Sequence, residues 1–122
     1  MPTVTQIEWT SEPAREAEVS ISDGRIVCFA FCQPCGYQAG DPVTEPIHIF
    51  ALREARLSKV PSAYIEKISA AGLGQRGAGT LINVAQGELA IGNLRFVFDD
   101  HLPGGLTDGD MVEFECGRID LW

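Results

Sequence analysis

The stretch EVSISDGRIVCFAFCQPC, residues 18–35, constrains the fold more than any other part of the chain. The dipeptide Asp23-Gly24 stands between two runs of alternating residues. Asp-Gly is the strongest short-range signal for a two-residue type I′ hairpin, because both central residues of that turn need a positive φ. A two-residue turn places Ile21 opposite Ile26, so the first expected element is a β-hairpin with one apolar face.

The second strand of this hairpin is apolar on both of its faces. Cys28 and Ala30 share one face, whereas the other face carries Val27, Phe29 and Phe31. A strand that is apolar on both faces is usually covered on both faces. We therefore expect this strand to be central and its phenylalanines to belong to the core.

A single domain is expected for the 122 residues, because this length supports one hydrophobic core and not two. Within it, residues 1–16 are expected to form an N-terminal strand or arm and residues 17–121 the barrel. The start of the chain has neither a basic segment nor an apolar signal core, and no apolar run reaches bilayer-spanning length. A cytoplasmic location without membrane contact is the resulting expectation.

Further strands and one helix follow the hairpin. The segment SAYIEKISAAG, between Pro61 and Gly72, has apolar residues on one helical stripe and predicts a short helix. A glycine-dense link then leads back to strands. The expected strands lie at about residues 47–52, 80–85, 88–91, 94–99 and 111–121, with tight turns at Gln86-Gly87 and Gly92-Asn93.

This order of elements resembles the OB-fold, a small five-stranded Greek-key barrel. The resemblance is carried by GRIVCFAF, SAYIEKISAAG and LTDGDMVEFECGRIDL, and it is one of fold and not of a particular family. It predicts a mainly β chain with one short helix, arranged as an OB-like Greek-key barrel of five to seven strands. An SH3-like barrel or an irregular β-sandwich fits the same pattern, and a fold of this kind implies no active site.

The charge balance favours a protein partner. Seventeen acidic and nine basic residues give a net charge of −8, which argues against nucleic acid because phosphate neutralisation dominates that affinity. The function expected first is a non-enzymatic domain that binds an unknown protein partner through an acidic surface, a role typical of small bacterial proteins. The acids proposed to form that surface are Asp99, Asp100, Asp108, Asp110, Glu113 and Glu115.

A second hypothesis is an OB-type binder of single-stranded nucleic acid. It requires one groove that combines basic side chains with exposed aromatic rings. The basic side chains would be Arg25, Arg53, Arg56 and Arg95. Most of the phenylalanines, however, stand where a core needs them.

The cysteines give a third hypothesis, a zinc- or thiol-based site. Cys32, Cys35 and Cys116 could converge on one zinc ion, whereas Cys28 lies roughly 13 Å from Cys32 along a straight strand. Cys32-Gln33-Pro34-Cys35 has the C-x-P-C form of a redox centre but is followed by a loop and not by a helix. The alternative is that the thiols are small core residues and that no cofactor binds.

No other motif stands in the context that its chemistry needs. GLGQRG, residues 72–77, matches G-x-G-x-x-G, but it follows a helix and precedes a strand, which is the wrong order for a dinucleotide site. Asp99, Asp100 and His101 are adjacent on an extended chain and cannot all face one ion. The chain is therefore not expected to be an enzyme. Edge strands and an exposed Trp122 leave room for a homodimer.

Overall fold

The computed structural model describes all residues from 1 to 122 and contains nine β-strands and no helix. No helix is therefore present that could cross a membrane. In chain order the strands are β1 (Thr3–Ser11), β2 (Glu16–Ser22), β3 (Val27–Cys32), β4 (Ile47–Leu57), β5 (Tyr64–Lys67), β6 (Gln75–Asn83), β7 (Glu88–Ile91), β8 (Leu94–Phe98) and β9 (Met111–Asp120).

Five of these strands close into a small barrel. Around it the order is β4, β8, β7, β6 and β9, and β9 pairs back onto β4. The β4–β8 pair is parallel and the other four pairs are antiparallel. The expected fold-level likeness to an OB-type barrel is confirmed, with four strands added to the five of the barrel.

The first three strands form an antiparallel sheet, called here the N-terminal sheet, beside the barrel. β2 alternates strictly between half-buried and buried residues, so one face of the sheet turns inward. That face joins the barrel in a single core of 22 buried residues. β3 contacts β9 at one parallel bridge, between Phe31 and Asp120, so the expected central position of β3 is observed.

The β2–β3 hairpin has a longer loop than the predicted two-residue turn. Ile21 lies opposite Cys28 and not opposite Ile26, so four residues, 23–26, connect the strands. The reason is the Asp23 carboxylate, whose Oδ1 accepts hydrogen bonds from the backbone N–H groups of Arg25 and Ile26. The register differs from the prediction by two residues, and a shift of two leaves every side chain on its predicted face.

The predicted helix between Pro61 and Gly72 is wrong. Tyr64–Lys67 form β5, which pairs antiparallel with the first residues of β6. The segment is too short for a helix that stands alone, whereas β6 offers an edge on which its aromatic and β-branched residues can pair. Residues 68–74 form a loop, closed where the N–H of Ile68 donates to the carbonyl oxygen of Gly74.

β4 continues past the predicted end at about residue 52 and reaches Leu57 through a bend. Ala51 has a φ of 57°, and the pairing with β9 shifts between Leu52 and Glu54. The shift leaves Arg53 of β4 without a partner on β9, so a β-bulge lies there.

The glycine-dense segment is a strand from Gln75 onward and not a link. β6 pairs with β5, β7 and β9, and Gly79 lies where its neighbour changes from β5 to β7. A Cβ on Gly79 would collide with the carbonyl oxygen of Ala90 and lie 2.8 Å from Cγ1 of Ile91. The barrel closes at this point because the residue has no side chain.

Candidate functional site

The main concave feature of the surface is a groove of about 610 Å³ between the outer face of the N-terminal sheet and the β5–β6 loop. Acidic side chains, two phenylalanine rings and a short apolar wall share its lining. The lining residues are Glu8, Thr10, Glu16, Glu18, Phe29, Phe31, Lys67, Ala70, Ala71 and Leu73.

Strand register places the acids beside the aromatic rings. Glu8 of β1 pairs with Glu18 of β2, which pairs in turn with Phe31 of β3. Paired residues point to the same face of a sheet, so these three side chains form one row across the groove. Phe29 lies two residues earlier on the same face. This face of the sheet is the floor of the groove, and its side chains change from acidic on β1 and β2 to aromatic on β3.

The opposite wall is the β5–β6 loop. Ala70 and Ala71 are exposed, and the side chain of Leu73 is 41% exposed. A tight turn, in which the N–H of Gly72 donates to the carbonyl oxygen of Ser69, presents these small apolar residues to the groove.

The glutamates of the groove differ in their partners. Glu18 is bound by Lys67, whose Nζ lies 2.9 Å from each carboxylate oxygen. Glu16 Oε2 accepts a hydrogen bond of 2.7 Å from the Thr10 hydroxyl. Glu8 is exposed and has no side-chain hydrogen bond or ion pair within the chain. Three glutamates and one lysine give the lining a net charge of −2.

Two hydrogen bonds fix the aromatic floor to the barrel. The N–H of Leu121 donates to the carbonyl oxygen of Phe31 at 2.9 Å. Gln75 is 2% exposed, and its Nε2 donates to the carbonyl oxygen of Phe29, while its Oε1 is buried without a partner. Gln75 belongs to β6 and Leu121 follows β9, so the floor is held by the barrel and not by the hairpin alone.

The aromatic surface continues past the groove through Arg118. Its guanidinium carbon lies 4.6 Å from the ring centroid of Phe31 and 5.2 Å from that of Phe50, and Asp120 holds it through two hydrogen bonds. Phe50 is 44% exposed and Phe29 is half-buried. The expectation that Phe29 and Phe31 belong to the core is wrong, because the phenylalanines of the core are Phe96, Phe98 and Phe114.

The acids that the sequence proposed as a partner surface have structural roles at several places in the fold. Asp99 Oδ1 lies 2.8 Å from Nδ1 of His48, whose ring stacks on Trp122 at 3.6 Å between centroids. Asp100 Oδ2 accepts a hydrogen bond from the N–H of Leu52. These two acids therefore tie the end of β8 to β4.

The remaining acids of that set lie before and along β9. Asp108 accepts the backbone N–H of Val84, in the β6–β7 loop, and Asp110 accepts that of Thr107 in its own loop. The N–H of Lys59 donates to Glu113, and this bond is the main reason why the pKa of Glu113 lies below its usual value. Glu115 has no hydrogen bond within the chain but lines a small charged cavity. Five of the six proposed carboxylates therefore have a partner in the fold.

All four cysteines are free and buried. Burial raises the pKa of Cys28 to about 12 and that of Cys116 to about 11. Burial and a hydrogen bond with Cys35 raise the pKa of Cys32 to about 12.

Cys32 and Cys35 are thus brought together, but Cys116 is not placed with them. Its Sγ donates to the carbonyl oxygen of Gln75, 3.5 Å away. No group of three or more histidine, cysteine or acidic side chains is close enough to hold a metal ion. The proposed zinc ligands Cys32, Cys35 and Cys116 therefore do not form one site.

None of the four arginines of the nucleic-acid hypothesis lines the groove. Arg56 pairs with Glu54 and Glu113. Arg95 lies on β8, where its guanidinium donates to the carbonyl oxygen of Gly92, and it lines a different cavity from Arg56. Arg25 is in the β2–β3 loop, so these side chains do not share a groove with the aromatic floor.

No protein-family model, curated protein or solved structure matches this chain. The groove is therefore described by its own residues alone. Sequence reasoning missed it, although two signals were present. Glu16 and Glu18 are two residues apart and share the outer face of the first hairpin strand. Phe29 and Phe31 have the same spacing and share that face on the second strand.

Proposed function

We propose that this chain is a non-enzymatic binding domain that holds a basic, partly apolar segment of a protein partner in the groove. The observation that carries the proposal is the lining itself: three glutamates stand beside two phenylalanine rings, and one lysine opposes them.

Charge supports a cationic partner. The chain carries a net charge of −8, of which the groove lining accounts for −2, and Glu8 has no partner within the chain. A field of one sign steers an oppositely charged partner to the surface and raises its association rate. A concave site with low-dielectric walls concentrates this field where the partner would dock.

The apolar lining supports a partner that also carries hydrophobic side chains. Phe29 and Phe31 form a floor that is fixed to the barrel, and Leu73 stands on the facing wall. Aromatic residues held in place by the scaffold are frequent energetic centres of protein interfaces. A volume of about 610 Å³ accommodates a few side chains of an extended segment.

The lining favours binding over catalysis. It contains no histidine, cysteine or serine, and its one hydroxyl, that of Thr10, is hydrogen-bonded to Glu16. Glu18 is neutralised by Lys67. The residues present can attract and hold a cation, but they do not form a nucleophile with an adjacent base.

Fluorescence anisotropy with a labelled short peptide rich in lysine and leucine tests this proposal. Glu8→Lys reverses one charge in the groove. Each unit charge at contact distance is worth about 1 kcal/mol in water, so the reversal should weaken binding by about 2 kcal/mol, or roughly 30-fold. Glu45→Lys makes the same change of net charge at an exposed residue outside the groove and serves as the matched control.

Binding that weakens equally in both variants would contradict the groove and indicate a diffuse charge effect. Absence of binding to the unmodified protein at low salt would contradict the function itself. A companion variant, Leu73→Ser, should weaken binding by about 1 kcal/mol even at high salt, because hydrophobic contacts are not screened.

A further inference from the structure

The groove contains its own cation. Lys67, the last residue of β5, reaches across from the loop side, and its ammonium group contacts both carboxylate oxygens of Glu18 at 2.9 Å. The same nitrogen lies 5.0 Å from the ring centroid of Phe29. The side chains of Lys67 and Glu18 are only 17% and 19% exposed, so the pair is set into the groove and not spread over its rim.

Carboxylate and ring together make a recognition site for a cation. A carboxylate forms charge-assisted hydrogen bonds with an ammonium or guanidinium group, and the face of an aromatic ring attracts the same charge. Both features meet at Glu18 and Phe29. A lysine or arginine of a partner could make the contacts that Lys67 makes now.

We propose that Lys67 is an internal competitor, and that the partner binds by displacing it with a lysine or arginine side chain of its own. The inference rests on the proposed function of the groove. The partner's cation takes over the contacts with Glu18 and Phe29, and the ammonium group of Lys67 moves out into solvent. Specificity for a cation at this position, and the threshold for binding, are then set by one residue of the chain.

The edge position of β5 supports this role. β5 has four residues and pairs with β6 alone, and the loop that forms the far wall of the groove follows it directly. Lys67 is therefore at the end of an edge strand, whereas Glu18 lies on β2, the middle strand of the N-terminal sheet. The Glu18 carboxylate is therefore held by a strand that is paired on both sides, whereas Lys67 lies on a strand that is paired on one side only.

Binding of the lysine- and leucine-rich peptide to Lys67→Met tests the inference. Methionine keeps a long apolar side chain and removes the charge. If Lys67 occupies the subsite about nine-tenths of the time, its removal should tighten binding about tenfold, because apparent affinity scales with the fraction of open sites. Lys59→Met removes one positive charge at an exposed residue outside the groove and should change affinity by no more than about twofold.

The alternative role for Lys67 is a purely structural ion pair with Glu18 that stays in place when the partner binds. The outcomes distinguish this structural role from the role of a competitor. Unchanged or weaker binding by Lys67→Met, while Glu8→Lys still binds more weakly than Glu45→Lys, overturns the competitor and leaves the function of the groove standing. Absence of binding in every variant overturns both. In the double variant Lys67→Met with Glu18→Gln, the gain should disappear, because the anionic half of the subsite is gone.

The unmodified protein provides a readout that needs no variant of Lys67. The side-chain protons next to its ammonium group should resonate upfield of their usual position, because the group lies over the ring of Phe29. Saturating peptide should return these signals to the position of a solvated lysine. Signals that keep their upfield position in the saturated complex would overturn the displacement.

Discussion

Asp23 joins the groove-bearing sheet to the barrel, and its replacement by alanine should destabilise the fold. Its Oδ1 accepts the N–H groups of Arg25 and Ile26 at 2.9 and 2.7 Å, which shapes the β2–β3 loop. Its Oδ2 accepts the N–H of Asn93 at 2.8 Å, in the turn between β7 and β8. One carboxylate thus closes a loop and ties it to a distant strand pair.

The contacts give the size of the effect. A side chain that caps local N–H groups contributes about 1 kcal/mol, and the bond to Asn93 adds about 1 kcal/mol after allowance for its exposure to water. Asp23→Ala should therefore lower the free energy of unfolding by about 2 kcal/mol. Asp23→Asn should cost about half as much, because its amide oxygen can keep the loop bonds while its NH₂ group cannot accept from Asn93.

Urea unfolding of the three proteins measures these differences, and pH gives an internal check. The hydrogen bonds from Ile26 and then Asn93 hold the pKa of Asp23 below its usual value of 3.8. The carboxylate's stabilisation is thus fully present above that usual value and is lost as the pH falls through the lowered folded pKa. The gap between the natural protein and Asp23→Asn should shrink below about pH 4. Equal stability of the two proteins at pH 7, or a gap that stays constant down to about pH 2, would contradict this role of the Asp23 carboxylate.

Two further predictions concern the barrel and the thiols. Gly79→Ala should lower the free energy of unfolding by about 3 kcal/mol or more, because the added methyl group collides with the backbone of β7. A soluble variant with an unchanged midpoint of urea unfolding would contradict the close packing of β6 on β7 at Gly79. The pKa values of three buried thiols are raised, to about 12 for Cys28, about 12 for Cys32 and about 11 for Cys116. These thiols should therefore resist iodoacetamide in the native protein at pH 8 and react after unfolding in urea, as counted by mass spectrometry. Rapid alkylation of these three cysteines in the native protein would contradict their burial.

The strands could be predicted where a local pattern decided them. The alternation in β2 and the glycine turns before β7 and β8 depend on neighbouring residues, and both appear in the structure. The faces on which the hairpin side chains lie were predicted correctly although the loop length was wrong. The register differs by two residues, which is one full period of a strand.

The false helix shows where local patterns fail. The apolar spacing of residues 64–68 suits a helix, but residues 64–67 pair with β6, which itself pairs with β7 and β9. Long-range pairing of this kind overrides weak intrinsic propensity, and one sequence does not reveal it.

The groove was hidden for a similar reason. Phe29 and Phe31 indicate burial when β3 is considered alone, yet Glu8 and Glu18 are their neighbours across the sheet. The facing wall comes from the β5–β6 loop, and most of that loop was wrongly predicted to be helical. Conversely, the acids from Asp99 to Glu115 cluster in the sequence, whereas in the fold most of them accept hydrogen bonds at separate places.

We propose that the groove, and not the acidic C-terminal segment, receives the basic partner. Titration of the isotope-labelled protein with the lysine- and leucine-rich peptide, followed by amide chemical shifts in NMR, distinguishes the two surfaces. We expect the largest shifts at Glu8, Glu18, Phe31 and Leu73. Largest shifts within residues 99–115, with the groove amides unmoved, would contradict it.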